Sequence, residues 1–147
     1  MEQANKIAYF LGIGGIGMSA LARFYQSKGF KIYGYDLTET PLTKALKSEG
    51  MNLHYSDAKE DIPNEVIRNK QCEIIYTPAI PKDHSGFVFL NENGYNLKKR
   101  SDALGNITKA HKTLAIAGTH GKTTTTAIAA HILKNSSLAT VSFVGGI

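Results

Sequence analysis

The sequence has little cysteine and no segment that would direct it out of the cell or into a membrane. Cys72 is its only cysteine, which excludes an intramolecular disulfide and favours a packing role beside a strand. Residues 1–6 lead directly into a predicted strand, without the regions that make up a signal peptide. No apolar run is long enough to cross a bilayer. These absences predict a cytoplasmic protein that does not interact with membranes.

The charge of the chain is modestly biased and widely scattered. There are 17 basic and 12 acidic residues, which give a net charge of +5 and a pI near 9.3. The longest basic run is confined to residues 98–100, which is too short to indicate nucleic-acid binding. Affinity for anionic small molecules explains the same excess of positive charge. We therefore expect no nucleic-acid partner.

Strand-like segments alternate with helix-like segments along the chain. Apolar residues repeat at helical spacing in residues 16–25, for example, and Gly29 follows as a stop signal. The predicted strands are residues 6–12, 30–36, 51–55, 73–77, 95–97, 113–117 and 139–144. The predicted helices are residues 15–28, 84–93, 101–109 and 122–135, with one more between Thr38, its expected cap, and Gly50. This alternation predicts an α/β fold with a Rossmann-like parallel sheet and helices on both faces.

The pattern divides the chain into one complete domain and the beginning of another. We place the boundary between residues 105 and 112, which gives a Rossmann-like domain of residues 1–106 and a second segment of residues 107–147. This second segment holds one strand–loop–helix–strand unit, which is too small to bury a core of its own. We therefore interpret it as the start of a truncated domain.

A glycine-rich loop follows the first predicted strand. Residues 12–17 read GIGGIG, the G-x-G-x-x-G pattern, between a strand and a helix. In this pattern Gly12 permits the tight turn, Gly14 lets the backbone approach a pyrophosphate, and Gly17 lets the helix pack on the strand. The loop is therefore predicted to bind the phosphates of a nucleotide. A purely structural glycine turn is the alternative.

Asp36 ends the second predicted strand, about 20 residues after the glycine loop. Nucleotide-binding sheets often place an acid there that binds a sugar or a base. An acid at a strand end also serves as a helix cap or as a solvated charge. Both interpretations stay open on the sequence alone.

A second phosphate-binding pattern follows the sixth predicted strand. Residues 118–124 read GTHGKTT, and the first glycine lies closer to the Gly-Lys pair than in the standard G-x-x-x-x-G-K-[ST] loop. The functional end is intact, because Gly121 permits the turn, Lys122 can reach β- and γ-phosphates, and Thr123 can bind Mg²⁺. A chance Gly-Lys-Thr after a strand is the alternative.

The histidines do not suggest a metal centre. His54, His84, His111 and His131 form no cluster in the sequence. His120 lies within the second loop, where it either contacts a phosphate or fills the turn.

Together the two loops resemble those of a known family. Residues 12–20 (GIGGIGMSA) and 117–126 (AGTHGKTTTT) closely resemble the corresponding segments of the Mur ligases of peptidoglycan synthesis. The short glycine spacing of the second loop has the form found in that family, and residues 143–146 (FVGG) resemble the strand after its P-loop helix. The resemblance covers the whole chain and is greatest to members that join L-alanine to UDP-N-acetylmuramate. Members that recycle murein tripeptide usually have a cysteine in the first loop, whereas residues 14–17 read GGIG here, which argues against that group.

The resemblance implies three domains, for a UDP-sugar, ATP and an amino acid. This chain would hold the first and the start of a truncated ATP-binding, P-loop domain. Residues implied to bind the UDP-sugar are Gly12, Gly14, Gly15, Ile16, Gly17, Met18, Asp36 and Thr77. Residues implied to bind the phosphates of ATP are Gly118, Thr119, His120, Gly121, Lys122, Thr123 and Thr124, with Mg²⁺ on Thr123. The sequence departs from the family pattern in two places. Residues 77–80 read TPAI where Ser-Ser-Ala-Ile is usual, and Asp57 lies near the position at which some relatives have a histidine.

The implied reaction activates a carboxylate. ATP phosphorylates the lactyl carboxylate of UDP-N-acetylmuramate to an acyl phosphate, and the amine of L-alanine attacks it to give an amide, ADP and phosphate. Lys122 and Thr123 are the candidate catalytic residues, because charge stabilisation dominates such transfers. The second-metal ligands, the adenine pocket and the alanine site would lie beyond residue 147. The chain alone is therefore expected to bind a UDP-sugar without catalysing ligation.

Two other function classes fit the first loop. One is an NAD-binding oxidoreductase domain, with Asp36 on the ribose, and the other is a nucleotide-binding module. A dehydrogenase has no use for Lys122 and Thr123, so the second loop argues against the first of these alternatives.

Overall fold

The computed structural model describes residues 6–144. Residues 1–5 and the last two residues of the FVGG segment, 145 and 146, lie outside the described part. The chain divides into two compact units, residues 1–106 and 107–147.

The first unit alternates strands and helices around a single parallel sheet. Its elements are β1 (Ile7–Leu11), α1 (Ile16–Ser27), β2 (Lys31–Tyr35), α2 (Pro41–Ser48), β3 (Asn52–His54), a 3₁₀ turn (Lys59–Asp61), α3 (Asn64–Arg68), β4 (Glu73–Tyr76), α4 (Ser85–Glu92), β5 (Leu97–Lys99) and α5 (Arg100–Lys109). The strand order is β3-β2-β1-β4-β5, and every pair is parallel. The predicted α/β fold with a parallel sheet is confirmed.

The central strand, β1, is buried on both faces. Tyr9 and Leu11 belong to a cluster that also contains Ile62, Val66 and Leu90. Phe10 points to the other face, where its ring meets Tyr25 of α1 edge-on with centroids 5.8 Å apart. Successive side chains of a strand point to opposite faces of the sheet. Since α3 and α4 contact one set of β1 side chains and α1 contacts the other, helices cover both faces. Each large side chain buried here contributes roughly 1.5–3 kcal/mol.

The second helix begins at a different cap from the predicted one. Thr40, not Thr38, is the cap: its side chain accepts from the Thr43 amide, and the Thr43 hydroxyl accepts from the Thr40 amide, which completes a capping box. Pro41 follows as the first helical residue. Its fixed φ suits the first turn, which explains why the cap lies directly before it.

The fifth strand lies two residues later than predicted. The prediction was residues 95–97, and the structure has Leu97–Lys99 with Leu97 beside Ile74. Tyr95 instead is buried, and its hydroxyl donates to the Ile67 carbonyl at 2.6 Å. An aromatic residue that suits a strand here serves as a packing anchor before the strand starts.

Within residues 107–144, the second unit holds the last residues of α5 and one further helix. The predicted helix of residues 122–135 is α6 (Lys122–Lys134). The predicted strands of residues 113–117 and 139–144 were wrong, because within residues 6–144 neither segment forms a ladder. A strand needs a neighbour for its backbone hydrogen bonds. Several large apolar side chains of this unit are exposed, namely Leu114, Ile128, Ile132, Leu138 and Val141.

None of the helices between residues 6 and 144 combines the length and the apolar character that a bilayer span requires.

The contact between β2 and the glycine loop leads to a test of stability. A Cβ at Gly34 would lie 2.6 Å from Cδ1 of the fully buried Ile13 and 3.0 Å from its Cβ. We expect Gly34→Ala to lower the free energy of unfolding by about 1–3 kcal/mol through overpacking. Urea unfolding followed by circular dichroism measures this change.

The matched control is Gly105→Ala in α5, where an added Cβ would meet no atom within 4 Å. It should leave stability unchanged or raise it by up to about 1 kcal/mol through helix propensity. Equal stability of Gly34→Ala and the unmodified protein would contradict the packing described for Gly34.

Candidate functional site

The carboxyl ends of the strands bring several predicted residues to one edge of the sheet. The glycine loop follows β1, Asp36 follows β2, and Thr77 follows β4. The chain runs outward from β1 to β3 and then returns to β4 on the other side of β1. This reversal of direction opens the crevice in which parallel sheets bind their ligands.

The glycine loop is held by backbone hydrogen bonds to the end of β2. The amides of Gly12 and Ile13 both donate to the Tyr35 carbonyl, at 2.8 and 3.0 Å. Gly12 has a φ of +84°, which favours glycine. A Cβ on Gly12 would lie 2.5 Å from Cγ2 of Thr77. Thr77 therefore packs against the turn, so the structure gives it a supporting position beside the loop.

Asp36 contacts the glycine loop directly. Its Oδ2 accepts from the Gly14 amide at 2.6 Å, a charge-assisted bond that orients the loop. Gly14 was expected to let the backbone approach a pyrophosphate, and here its amide donates to a carboxylate of the protein. A Cβ on Gly14 would lie 2.8 Å from both Asp36 Oδ2 and Thr43 Cγ2. Gly14 is therefore required by the packing of its own protein neighbours.

The loop opens the N-terminus of α1 toward solvent. Gly15 is the cap residue, and the first turn contains no acidic residue. The Ser19 amide bonds the Gly15 carbonyl at 2.8 Å, so the amides of residues 16–18 precede the first bond of the helix. Such amides, together with the helix dipole, attract an anion. Ile16 is 42% exposed, so it lies open to a ligand, whereas Met18 is 2% exposed and its side chain packs in the core.

Arg100, which no sequence pattern singled out, lies against the start of α1. A Cβ on Gly17 would lie 2.7 Å from Nη1 of Arg100. The guanidinium group of Arg100 therefore takes the space that a side chain at position 17 would need. Residues 97–100 read LKKR. With the strand placed at Leu97–Lys99, this pattern would have put a cation at the carboxyl edge.

A buried polar cluster lies behind this edge, around the ring of Tyr35. The ring centroids of His54 and His84 lie 5.6 and 4.4 Å from that of Tyr35. His54 Nδ1 lies 3.0 Å from the Ser56 carbonyl, which can only accept, so Nδ1 carries the proton. His54 Nε2 then accepts from the Tyr9 hydroxyl at 2.8 Å.

The second histidine of the cluster caps a helix. His84 Nδ1 accepts from the Phe87 amide at 3.1 Å at the start of α4. Its Nε2 is buried and has no hydrogen-bond partner within the described part of the chain. The four histidines were expected to form no cluster, and the structure brings two of them together. No group of three or more metal-binding side chains occurs in residues 6–144.

Burial lowers the pKa of both histidines. Desolvation lowers the pKa of His54, against smaller opposing effects of the Ser56 carbonyl and Asp61. Desolvation likewise lowers the pKa of His84, opposed by Asp57. Protonation would also disrupt geometry, because His84 Nδ1 could no longer accept from the Phe87 amide.

These pKa shifts predict an acid-sensitive first unit. An unfolded histidine binds its proton near pH 6.5, and a folded one with a lowered pKa binds it at lower pH. Between these values the unfolded chain holds more protons, so the free energy of unfolding should fall as the pH drops from 7 through the folded pKa. Urea unfolding between pH 7.5 and about pH 5.5 measures this slope.

The variant His84→Asn keeps a side-chain acceptor for the helix start and removes the titrating ring, so it should flatten the slope. His131→Gln, an exposed histidine of α6, is the matched control and should leave it unchanged. Stability that stays constant or rises toward pH 5.5 in the unmodified protein would refute the prediction.

The second loop forms the N-terminus of α6. Gly121 has a φ of +74° and is the cap residue of this helix. Lys122 Nζ donates to the carbonyls of Gly118 and Thr119, at 2.6 and 3.2 Å. Thr123 and Thr124 follow in the first turn, and the whole loop, including His120, is exposed. A helix start with an adjacent ammonium group suits a phosphate, and a bound phosphate would compete with these carbonyls for the lysine.

Comparison with known proteins identifies relatives that match most of the chain. The family model for the Mur ligase family, catalytic domain, matches residues 7–112. A UDP-N-acetylmuramate–L-alanine ligase of Cytophaga hutchinsonii is 52% identical over 139 residues, which is 95% of this chain. One from Porphyromonas gingivalis is 49% identical over 142 residues, or 97% of this chain.

Among solved structures, the UDP-N-acetylmuramate–alanine ligase of Thermotoga maritima is similar with a TM-score of 0.75 and 34% identity. The similarity covers 88% of this chain and 29% of that one. The chain likewise spans only 30% and 31% of the length of the two curated relatives.

Proposed function

The chain belongs to the Mur ligase family, and from that membership we propose that it is the N-terminal part of an ATP-dependent ligase that joins L-alanine to UDP-N-acetylmuramate in peptidoglycan synthesis. Residues 1–106 would form the UDP-sugar-binding domain, and residues 107–147 would begin the ATP-binding domain. The observation that supports this most directly is the start of α1, which has no side-chain cap and lies where the strand order reverses, between β1 and β4.

The diphosphate of the UDP-sugar would bind at the start of α1. The amides of residues 16–18 supply donors, and the exposed Gly15 and Ile16 leave room for a ligand in front of them. Asp36 keeps the loop in this conformation through Gly14, and Thr77 packs on the turn behind it. In this proposal Asp36 lies at the edge of the nucleotide site and orients it.

The phosphates of ATP would bind at the start of α6. The donors are the amides of residues 118–124 and the ammonium of Lys122, which would move from the loop carbonyls to the phosphate oxygens. Thr123 would hold Mg²⁺, which supplies charge neutralisation on the phosphates. Lys122 would stabilise the negative charge that develops as the phosphoryl group is transferred to the carboxylate.

These 147 residues alone would not catalyse ligation. The exposed apolar side chains Leu114, Ile128 and Ile132 fit a surface that the remainder of an ATP-binding domain would cover. The relatives are about three times as long as the part matched here, since that part is 30% of their length. The alanine site, the adenine pocket and the second-metal ligands would belong to that remainder.

A thermal-shift panel tests the identity of the ligand of the first unit. UDP and UDP-N-acetylmuramate should raise the melting temperature, because a ligand at 100 times its Kd stabilises the native state by about 2.7 kcal/mol. NAD should not, and ATP should have a weak effect. Stabilisation by NAD without any by UDP compounds would instead favour the oxidoreductase alternative.

Gly15→Val is the variant that separates binding from folding. A Cβ on Gly15 would make only ordinary contacts, the nearest being 3.7 Å from the Gly12 carbonyl, and its φ of −69° suits any residue. Its side chain would occupy the front of the anion site, so the shift by UDP should disappear. Gly14→Val is less informative, since its Cβ would collide with Asp36 and Thr43.

In the intact ligase, Lys122 should be needed for turnover. Lys122→Ala should reduce ligation by about two to three orders of magnitude, the usual effect of removing a group that stabilises transition-state charge. It should not change the affinity for the UDP-sugar, because that site lies in the other unit. Lys134→Ala, at the far end of the same helix, is the control. Near-normal turnover by Lys122→Ala would show that this lysine is not a phosphate ligand.

A further inference from the structure

Thr43 is a fully buried polar residue whose hydroxyl and methyl groups serve different neighbours. It lies in the first turn of α2 and is 0% exposed. Its hydroxyl accepts from the Thr40 amide at 2.8 Å and from the Tyr55 hydroxyl at 3.1 Å, and it donates to the Thr40 carbonyl at 3.0 Å. The hydroxyl group is thus used by α2 and by the residue that follows β3.

The methyl group of Thr43 faces the glycine loop. A Cβ on Gly14 would lie 2.8 Å from Thr43 Cγ2 and 2.8 Å from Asp36 Oδ2. The same carboxylate oxygen accepts from the Gly14 amide at 2.6 Å. Gly14 is therefore confined between a methyl group of α2 and a carboxylate at the end of β2, and these contacts from two other elements restrict its position.

The start of α2 does not require this methyl group. The capping box needs only a hydroxyl at position 43, which serine also offers. Serine is also at least as good a helix former as threonine. The methyl group is therefore explained by the glycine loop that it contacts rather than by the helix that carries it.

We propose that Thr43 is a positioning residue of the nucleotide site: its methyl group holds the Gly14 amide on Asp36 and so keeps the glycine loop in the conformation that receives the ligand. The inference rests on the proposed function of the first unit. A loop that is fixed before the ligand arrives loses less conformational entropy on binding. Without the methyl group a gap would open beside Gly14, and the ligand would have to order the loop itself.

Amide NMR of the 147-residue chain without ligand tests the contact itself. A short bond to a carboxylate deshields the Gly14 amide proton, and Asp36→Asn should move its resonance upfield by weakening that bond. Thr43→Ser keeps the hydroxyl and removes the methyl group, so it should move the Gly14 resonance in the same direction. Thr43→Val keeps a methyl group in place, so the resonance should stay where it is. The melting temperature of Thr43→Val should nevertheless fall, because the Thr40 amide and the Tyr55 hydroxyl lose their acceptor.

Isothermal titration calorimetry with UDP tests the consequence for the ligand. Thr43→Ser should weaken UDP binding about 3- to 10-fold, the effect expected when the loss of one buried methyl group is felt at the site. In an Asp36→Asn background it should cause no further weakening, because the methyl group acts through that contact. Thr43→Val should retain more of the UDP affinity than Thr43→Ser but less of the stability. A merely structural role would not produce this reversal, because affinity would then follow stability.

The matched control is Ile7→Val, which also removes one carbon atom from the buried core of the first unit. Ile7 is 5% exposed and begins β1, so it lies at the edge of the sheet opposite the glycine loop. Its substitution should lower the melting temperature slightly through the lost packing. The Gly14 resonance and the UDP affinity should both stay unchanged.

The outcomes separate this inference from the proposed function. If the unmodified chain binds UDP but Thr43→Ser leaves the Gly14 resonance unmoved, the role of Thr43 is wrong and the proposed function stands. The same holds if the serine and valine variants lose UDP affinity in the order in which they lose stability. If the unmodified chain binds no UDP, the proposed function fails, and this inference fails with it.

Discussion

The double hydrogen bond from the Gly12 and Ile13 amides to the Tyr35 carbonyl determines the geometry of the candidate site. It fixes the end of β1 against the end of β2, and Ile13 is buried beneath the loop against Gly34. With the loop in this position, the Gly14 amide reaches Asp36 and α1 begins at the next residues. The position of the helix start is therefore a consequence of how two strands end.

The two glycine loops have the same local design but different support. The first joins two paired strands, and its contacts to Asp36 and Thr77 come from neighbouring strands of a formed sheet. The second precedes α6 and is held by local bonds, including those of Lys122 to its own loop carbonyls. A phosphate site needs its donors fixed before the ligand arrives. The first loop meets this condition within the residues described.

Patterns that depend on local burial were predictable from the sequence. Strands β1, β2 and β4 match their predictions to within a residue at each end. The apolar runs of β1 and β4 are typical of a parallel sheet, and β2 was predicted from its alternating pattern. The strand near Tyr95 was misplaced because an aromatic residue suits either a strand or a packing anchor. The strands of residues 113–117 and 139–144 were wrong because local propensity cannot supply a partner. The contacts of Asp36 and Arg100 depend on which strand ends meet, which only the folded sheet determines.

Tyr35 links the glycine loop to the histidine cluster without making one depend on the chemistry of the other. Its carbonyl lies in the plane of the sheet and accepts from the loop, whereas its ring stands perpendicular to the sheet and contacts His54 and His84. The loop is thus anchored by backbone atoms that any residue at this position would offer. This explains why a pattern of glycines was sufficient to predict the loop, while the buried cluster, which depends on side chains from three separate segments, left no signal in the sequence.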